Sequence, residues 1–505
     1  AIIYSHYITN CGVTWSGSSG ESWDTETNWT PNQVPTEATD VIIPKTSVYP
    51  EIPENTTVKT ITFKHGAEIG NQQNLTITGK AFIELDLAPG RWHLLSMPVA
   101  AISRDFYFEE GPSSWIRTFI TTADNANKAG WKYITNLDKT FEIGDGFAFW
   151  VGTKEDTENQ KIMLEGTALS NGSETKSLDF GENSGSYFAL AGNPFMTTID
   201  FDKLAENNTS IVNSYLIWTE EGGFSGYNKS GTFGISGGLT EHIAPLQSFI
   251  VEKTSESSPV TLNFDLEKIQ ATGSGELKAD EKTAGNKLDI IASNPAASVL
   301  TFIANREDGQ SSRKLFSTMS NLPDIYTLNG TTALGANIIH TGDILVPVGL
   351  ATAYTGNMNL IFKGMDNYDA RISFLDVVAD REIDITGLSV YEYSFNYTPK
   401  KENDQVVAEE NRFFVRIQPS STGLTNHLSG EAFVYSKDHV VFAVSGFSDL
   451  IQKIRIYNTQ GLLIYADDNI KAPSYTVNCS VNIPEICIVK LITEQGTKSV
   501  KLLVK

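Results

Sequence analysis

Ile454-Arg455-Ile456-Tyr457-Asn458-Thr459-Gln460-Gly461-Leu462-Leu463-Ile464-Tyr465 carries the pattern on which the fold turns. Apolar side chains alternate with polar ones as far as Asn458, a short polar stretch intervenes, and the apolar run resumes at Leu462. Alternation at every second residue marks a strand with one wet face. Gly461 supplies the positive φ that a tight turn demands, so the segment reads strand, turn, strand. Cys487-Ile488-Val489-Lys490-Leu491 and Lys498-Ser499-Val500-Lys501-Leu502-Leu503-Val504-Lys505 carry strands to the end of the sequence.

With its Gly461 turn, hydrophobic strands and Lys-rich end, this segment resembles the C-terminal sorting domain of the type IX secretion family, a small β-sandwich at the end of surface and secreted proteins of Gram-negative bacteria. It departs from that family where Pro484-Glu485-Ile486-Cys487 stands in place of a Gly-Xaa-Tyr element. The resemblance implies an immunoglobulin-like sandwich over 421–505 that serves sorting or attachment, and a protein working extracellularly or on the outer cell surface. The sequence opens at Ala1 with no charged, apolar leader, as expected of a product whose export signal has been removed.

Gly12-Val13-Thr14-Trp15, Ser22-Trp23, Asn28-Trp29, Val34-Pro35 and Asp40-Val41-Ile42-Ile43-Pro44 resemble the N-terminal module of bacterial adhesin-like surface proteins, in which a Trp-rich entry leads into a short β-solenoid. Independently, Val58–Phe63, Ala67–Ile69 and Leu75–Thr78 are short strands between Gly or Asn turns, as stacked rungs require. So few rungs cannot bury a core alone, and the module 1–88 is expected to dock on the next domain of the chain.

From 89 to 270 the chain carries a degenerate duplication. Trp92-His93-Leu94-Leu95-Ser96-Met97-Pro98 is echoed by Phe188-Ala189-Leu190-Ala191-Gly192-Asn193-Pro194, each an apolar strand stopped by a proline. Phe147–Val151 and Ser248–Val251 recur later in each half, with Phe149 51 residues after Pro98 and Phe249 55 after Pro194. Gly192-Asn193-Pro194-Phe195 with Ile199-Asp200-Phe201 resembles the body of the same surface-protein family. Asp202–Ala205 is expected to form a helical turn. A polar stretch from Ala271 to Lys287 reads as a linker, and strands from Leu288 to Val415 resemble the β-sandwich that precedes the sorting domain, with Leu375-Asp376-Val377 where relatives show Leu-Glu-Asp. Lys400–Gln405 reads as a hairpin tip and Ser420-Ser421-Thr422-Gly423 as the final join. The expected architecture is all-β: a short solenoid (1–88), a duplicated sandwich or jelly-roll-like region (89–270), a sandwich (271–420) and the terminal immunoglobulin-like domain (421–505).

The 505 residues carry a net charge of −22, a field that repels a phosphate backbone and disfavours nucleic acid. No apolar run approaches the ~18 residues of a membrane span. The three cysteines exclude a disulfide scaffold; Cys479 and Cys487 fall in neighbouring strands, where either a bridge or two packed thiols satisfies the sequence, and Cys11 lacks the context of a lipidated residue.

The seven histidines show no ligand spacing, so no metal is expected. Gly234-Ile235-Ser236-Gly237-Gly238 matches the bare nucleophile-elbow pattern, but no helix pattern comes after it, so it reads as a turn. Asp24, Glu26 and Asn28 alternate like calcium ligands, yet Trp29 and Pro35 occupy positions where a calcium loop needs Gly and Glu. A turn packed by Trp23 and Trp29 is the better reading. Nothing singles out a pair among 60 acidic residues. No catalytic residue and no cofactor is therefore expected. Aromatics near loops and strand ends, Trp115, Trp131, Trp218 and Tyr227, are the candidate ligand contacts, and segments 103–135 and 218–240 the candidate binding loops. The expected function is a non-catalytic, adhesin-like extracellular protein whose partner is another protein or a glycan. The rival is a carbohydrate-binding or polysaccharide-processing surface protein.

Overall fold

A computed structural model describes the chain apart from residues 1–11, 108–112, 123–124, 154–158, 181–185, 220–221, 236–237, 256–259, 272–285, 308, 318, 341–342, 404, 420–432, 438–439, 446–449, 473, 479–484, 495 and 505. Cys11, Ser236, Cys479, most of the linker and the join after Pro419 thus lie outside the described residues. Strand is the dominant element among the described residues, with α-helix confined to Phe201–Asn207 and Leu266–Ile269. The chain is all-β and multidomain. It divides into two compact units, one of residues 1–232, 236–282 and 315–318, the other of 233–235, 283–314 and 319–505.

The first unit begins with β1 (Gly12–Trp15), β2 (Asp40–Ile43), β3 (Thr60–Phe63) and β4 (Ala81–Leu87), laid side by side in parallel so that Val13, Val41, Ile61 and Ala81 fall in one row. Alternation decides the faces: Val41, Ile43, Ile61, Phe63, Ala81 and Ile83 are at most 1% exposed, while Asp40 and Thr60 bond each other on the outside at 2.7 Å. Antiparallel partners flank the parallel strands on both sides, Trp29–Thr30 on β1 and Gln160–Gly166 on β4. Trp29 packs edge-on to Trp15 and Trp23 with ring centroids at 5.0 and 4.7 Å, and its indole N–H donates to the Trp23 carbonyl at 2.8 Å. Beside them the buried Asn28 accepts from Ser19 N–H at 2.6 Å and donates to the Ser22 carbonyl at 2.9 Å, a turn held by its own amide. One hydrophobic core runs from Val13 past residue 88 to Leu164. This is how a few parallel strands bury their apolar side.

Two antiparallel sets of four strands follow in the unit. The first holds β5 (Arg91–Ser96), β6 (Ser114–Thr122), β7 (Asn125–Ile134) and β8 (Gly146–Val151) in the order β7-β6-β8-β5. The second holds β9 (Phe188–Gly192), β10 (Ile211–Trp218), β11 (Phe224–Asn228) and β12 (Ser248–Lys253) with β9 beside β12, β12 beside β10 and β10 beside β11. The strand order is the same in both halves. Corresponding residues also meet. A Cβ placed on Gly146 would come 2.9 Å from Ser248 Cβ, and one on Gly192 2.7 Å from Ser96 Cβ, where Ser96 pairs with Gly146 and Gly192 with Ser248. Ser96 N–H donates to the Leu246 carbonyl at 2.9 Å, and Gly192 N–H to the Gly144 carbonyl at 3.1 Å. Each half thus offers the same patch to the other, an internal version of a two-fold interface, and only small residues let the backbones approach this closely.

The Gly-Asn-Pro motif gains a physical role here. Asn193 is fully buried; its amide nitrogen donates to the carbonyls of Thr197, Ile243 and Ala244 at 3.0, 3.2 and 3.1 Å, and its oxygen accepts from Phe195 N–H at 3.0 Å. Asn193→Ala leaves these backbone groups buried without partners. It is expected to destabilise the first unit by about 2–3 kcal/mol, read as a downward shift of that unit's transition in differential scanning calorimetry. Phe201–Asn207 is a helix longer than the single expected turn, capped by Asp200 accepting from Lys203 N–H at 3.1 Å.

In the second unit, strands between Lys287 and Pro419, antiparallel except where Ser298–Asn305 runs parallel to Thr332–Ile339, enclose a core from Leu288 to Ile417. Lys400–Glu402 pairs with Gln405–Val407 as a hairpin, with Asp404 outside the described residues. Asp376 ends the strand Ala370–Asp376 with its side chain fully buried, accepting from Arg412 Nε and Nη2 at 2.8 to 3.2 Å and from Tyr393 Oη at 2.9 Å. The last strands form a three-stranded and a four-stranded sheet around a core from Val434 to Val504. Tyr457 pairs with Leu463 across a turn in which Gly461 has φ +81° and Asn458 Oδ1 accepts from Gln460 and Leu462 N–H. Cys487 is completely buried in that core.

Candidate functional site

The chain has eight tryptophans, and five of them gather on the paired sheets of the first unit. Register brings them together. Trp115 on β6 lies opposite Trp150 on β8, and Trp150 opposite Trp92 on β5, so three rings cross the sheet in one row. Two residues along, Arg117 stands opposite Tyr133 and places its guanidinium 4.4 Å from the Trp92 ring and 4.2 Å from the Tyr133 ring. From the second sheet, Trp218 at the end of β10 meets Trp92 at 5.5 Å and Trp131 at 4.8 Å.

Beside this cluster, along β5, which is the edge strand of its sheet, runs a cleft of about 650 Å³. Its walls are the turn His65–Glu68 of the parallel ladder, Leu85 and Leu87 of β4, β5 itself, the end of β10 and the turn Ala244–Gln247. That turn repeats the first half's turn in detail. Gln247 Oε1 accepts from Ala244 N–H as Asp145 Oδ2 accepts from Glu142 N–H, at 3.2 and 2.8 Å. At the residue before, the first half uses Gly144 with φ +80°, whereas the second places Leu246 at φ +63° and buries it against the core of the ladder. A leucine held in the left-handed region costs of order 1–3 kcal/mol, and such strain collects where a backbone has a task beyond stability.

Polar groups converge on the same space. Glu68 accepts from Thr198 Oγ1 at 2.5 Å, His93 Nε2 lies 2.8 Å from the Ala88 carbonyl, and Arg91, His65 and Gln247 complete the rim. Glu68 is the one carboxylate among the lining residues. Among the described residues no group of three or more His, Cys, Asp or Glu is placed to hold a metal ion.

The aromatics singled out from sequence divide. Trp218 lines the cleft. Trp131 stands behind it, wedged edge-on against Phe119 at 5.3 Å. Trp115 lies farther along the row, stacked on Trp150 at 6.0 Å and 45% exposed. Tyr227 takes no part: it is 8% exposed in the core of the second half, 5.3 Å from Tyr215, and donates to Asp202 Oδ1 at 3.0 Å. Burial first, then the Asp202 carboxylate, pushes its phenol far above the ordinary range, so it stays a neutral core donor. Trp92, Arg91 and the His65–Glu68 turn were not singled out as ligand contacts. Within the expected binding loop 103–135, Ser114–Thr122 and Asn125–Ile134 are instead the paired strands β6 and β7, with Phe119 opposite Trp131 and Arg117 opposite Tyr133.

A Domain of unknown function (DUF8693) matches residues 14–89, the segment that holds the parallel ladder and its three buried tryptophans. No curated protein matches the sequence. Two solved structures align at low similarity. The central fibronectin-III array of RIM-binding protein has 8% identity and a TM-score of 0.11, covering 44% of this chain and 93% of that one. Tp47, the 47-kilodalton lipoprotein of Treponema pallidum, has 9% identity and a TM-score of 0.12, covering 81% and 91%. At such scores no common fold is implied.

Proposed function

We propose that this chain is a non-catalytic, adhesin-like protein of the cell exterior that holds a partner in the tryptophan-lined cleft of its first unit, with its last domain serving attachment or sorting. The observation that carries the reading is the cleft itself. It is concave, floored by β5 and walled by two turns, and combines the half-buried rings of Trp92 and Trp218 with a small number of convergent polar groups, the composition of a binding pocket. A non-catalytic role is favoured because glycoside hydrolysis needs two opposed carboxylates and the lining offers Glu68 alone. Export is supported by the resemblance of the C-terminal segment, and the charge of −22 suits a soluble surface protein that avoids polyanions.

The test is to probe immobilised glycans and extracellular-matrix proteins with the intact chain, Trp131→Ala and Trp218→Ala. Binding by the intact chain that falls at least tenfold in Trp218→Ala, and less in Trp131→Ala, is the expected result. Turnover of any glycan would overthrow the non-catalytic reading, and no binding to any partner would leave a shaft without a ligand.

A further inference from the structure

We infer that the cleft along β5 is a subsite for a neutral pyranoside, of one or two sugar units. The inference rests on the proposed binding role of the cleft and names the ligand class that its chemistry fits.

Three features of the lining select a sugar. First, the half-buried Trp92 and Trp218 line the cleft as a pair packed on each other, rings inclined at 43° with centroids 5.5 Å apart. Arg117 lies against Trp92 and Trp131 against Trp218, so neither ring is free to swing away when the cleft is empty. A pyranose has an apolar C–H face that such a ring can cover while its hydroxyls stay at the periphery. Second, the periphery here is occupied by planar, multiply bonding groups: the Glu68 carboxylate, the Arg91 guanidinium and the Gln247 amide. Gln247 Oε1 already accepts from Ala244 N–H, which fixes the amide and leaves its NH₂ as the donor edge. Glu68 is likewise held by Thr198, so acceptor and donor stand at set positions before a ligand arrives. Neighbouring hydroxyls, each both donor and acceptor, match that mixture; a hydrocarbon ligand would desolvate all three groups without replacing their bonds.

Third, charge argues for a neutral sugar. The chain carries −22 overall, so a uronate or sulfated glycan would meet repulsion at long range, while Glu68 and Arg91 together give the cleft wall no net positive charge to offset it. The strained Leu246, at the corner where the first half has Gly144, shapes the same wall. The first half's counterpart of Trp218 is Phe119: each lies opposite its hairpin partner, Trp218 opposite Phe224 and Phe119 opposite Trp131. Phe119 is 4% exposed, so the duplicated fold carries this cleft in one half.

The experiment titrates the intact chain with methyl glycosides of neutral hexopyranoses and with their disaccharides, monitored by tryptophan fluorescence and calorimetry. Saturable binding of at least one neutral sugar is expected. It should weaken at least tenfold in Gln247→Ala and in Trp218→Ala, less in Trp218→Phe, and stay unchanged in Leu137→Ala, which alters an exposed side chain outside the lining. Circular dichroism checks that each variant folds, and Gln247→Ala keeps the test decisive if Trp218→Ala does not. The inference is overturned if no neutral sugar binds, if binding ignores both Gln247→Ala and Trp218→Phe, or if uronates bind tighter than their neutral parents. A protein ligand lost in Trp218→Ala with no sugar bound would sink the sugar and keep the binding role. Turnover of a bound sugar would keep the subsite and sink the non-catalytic role.

Discussion

Arg412→Ala is expected to lower the stability of the second unit by about 3–5 kcal/mol at neutral pH, because it strips a fully buried carboxylate of its counter-ion. Asp376 accepts from Arg412, from Tyr393 Oη, and from the backbone N–H groups of Val378 and Ala379 at 3.1 Å each, and Arg412 itself lies 4.7 Å from the Phe413 ring and 4.9 Å from Phe395. Breaking such a pair is costly even where replacing both partners by matched apolar groups would not be. Asp376→Leu with Arg412→Met should therefore lose less than Arg412→Ala alone. Burial raises the Asp376 pKa, but the bonds from Arg412, Tyr393 and the backbone outweigh it and hold the group below the ordinary carboxylate value. A depressed folded-state pKa means that its contribution is complete above the unfolded value, ~3.9, and is lost as pH falls through the folded value. The wild-type chain should thus lose stability on acidification below about pH 4, and the gap between it and Arg412→Ala should narrow there. Urea titrations at pH 7 and pH 3 check both statements; a gap that stays constant would show that Asp376 is not the group concerned.

Trp29→Ala should cost the first unit about 3–5 kcal/mol, the range for emptying a large aromatic site in a packed core. Trp29 is 0% exposed, touches Trp15 and Trp23 edge-on, and sits in the strand that covers the outer edge of β1. Its loss opens a cavity between two other tryptophans and leaves the Trp23 carbonyl without its indole donor. Trp29→Phe should restore part of the ring packing but not that hydrogen bond, and fall between. Calorimetry should show the shift in the transition of the first unit. A change under about 1 kcal/mol in Trp29→Ala would mean that the tryptophans are not the anchor of the ladder.

The Gly-Asn-Pro stretch and the Asn458–Gly461 turn were legible because their information is local. An asparagine that accepts from a backbone N–H two residues on and a glycine at positive φ are properties of a short segment, although Asn193 also reaches Ile243 and Ala244, which only the fold brings near. The duplication was legible for the same reason: similar elements at similar spacing need no partner to be seen. Asp376 stood out only as a departure from a pattern; that Arg412, 36 residues on, would close on it required the pairing of Asp376 with Phe413.

The candidate cleft was not legible, and Tyr227 and Trp92 show why. Both lie on alternating strands near polar loops, and nothing within either strand says which face turns to the core. Tyr227 went inward because β11 pairs with β10 in a register that sets it opposite Tyr215, whereas Trp92 came to the cleft because β5 took the edge of its sheet. The residues alone dictate the strands, their turns and the repeat, since backbone preference and alternation act over a few positions. Which tryptophans share a row, which edge stays open and which polar side chains face it were decided only by pairing between strands distant in sequence, since one residue of slip sends every side chain to the opposite face.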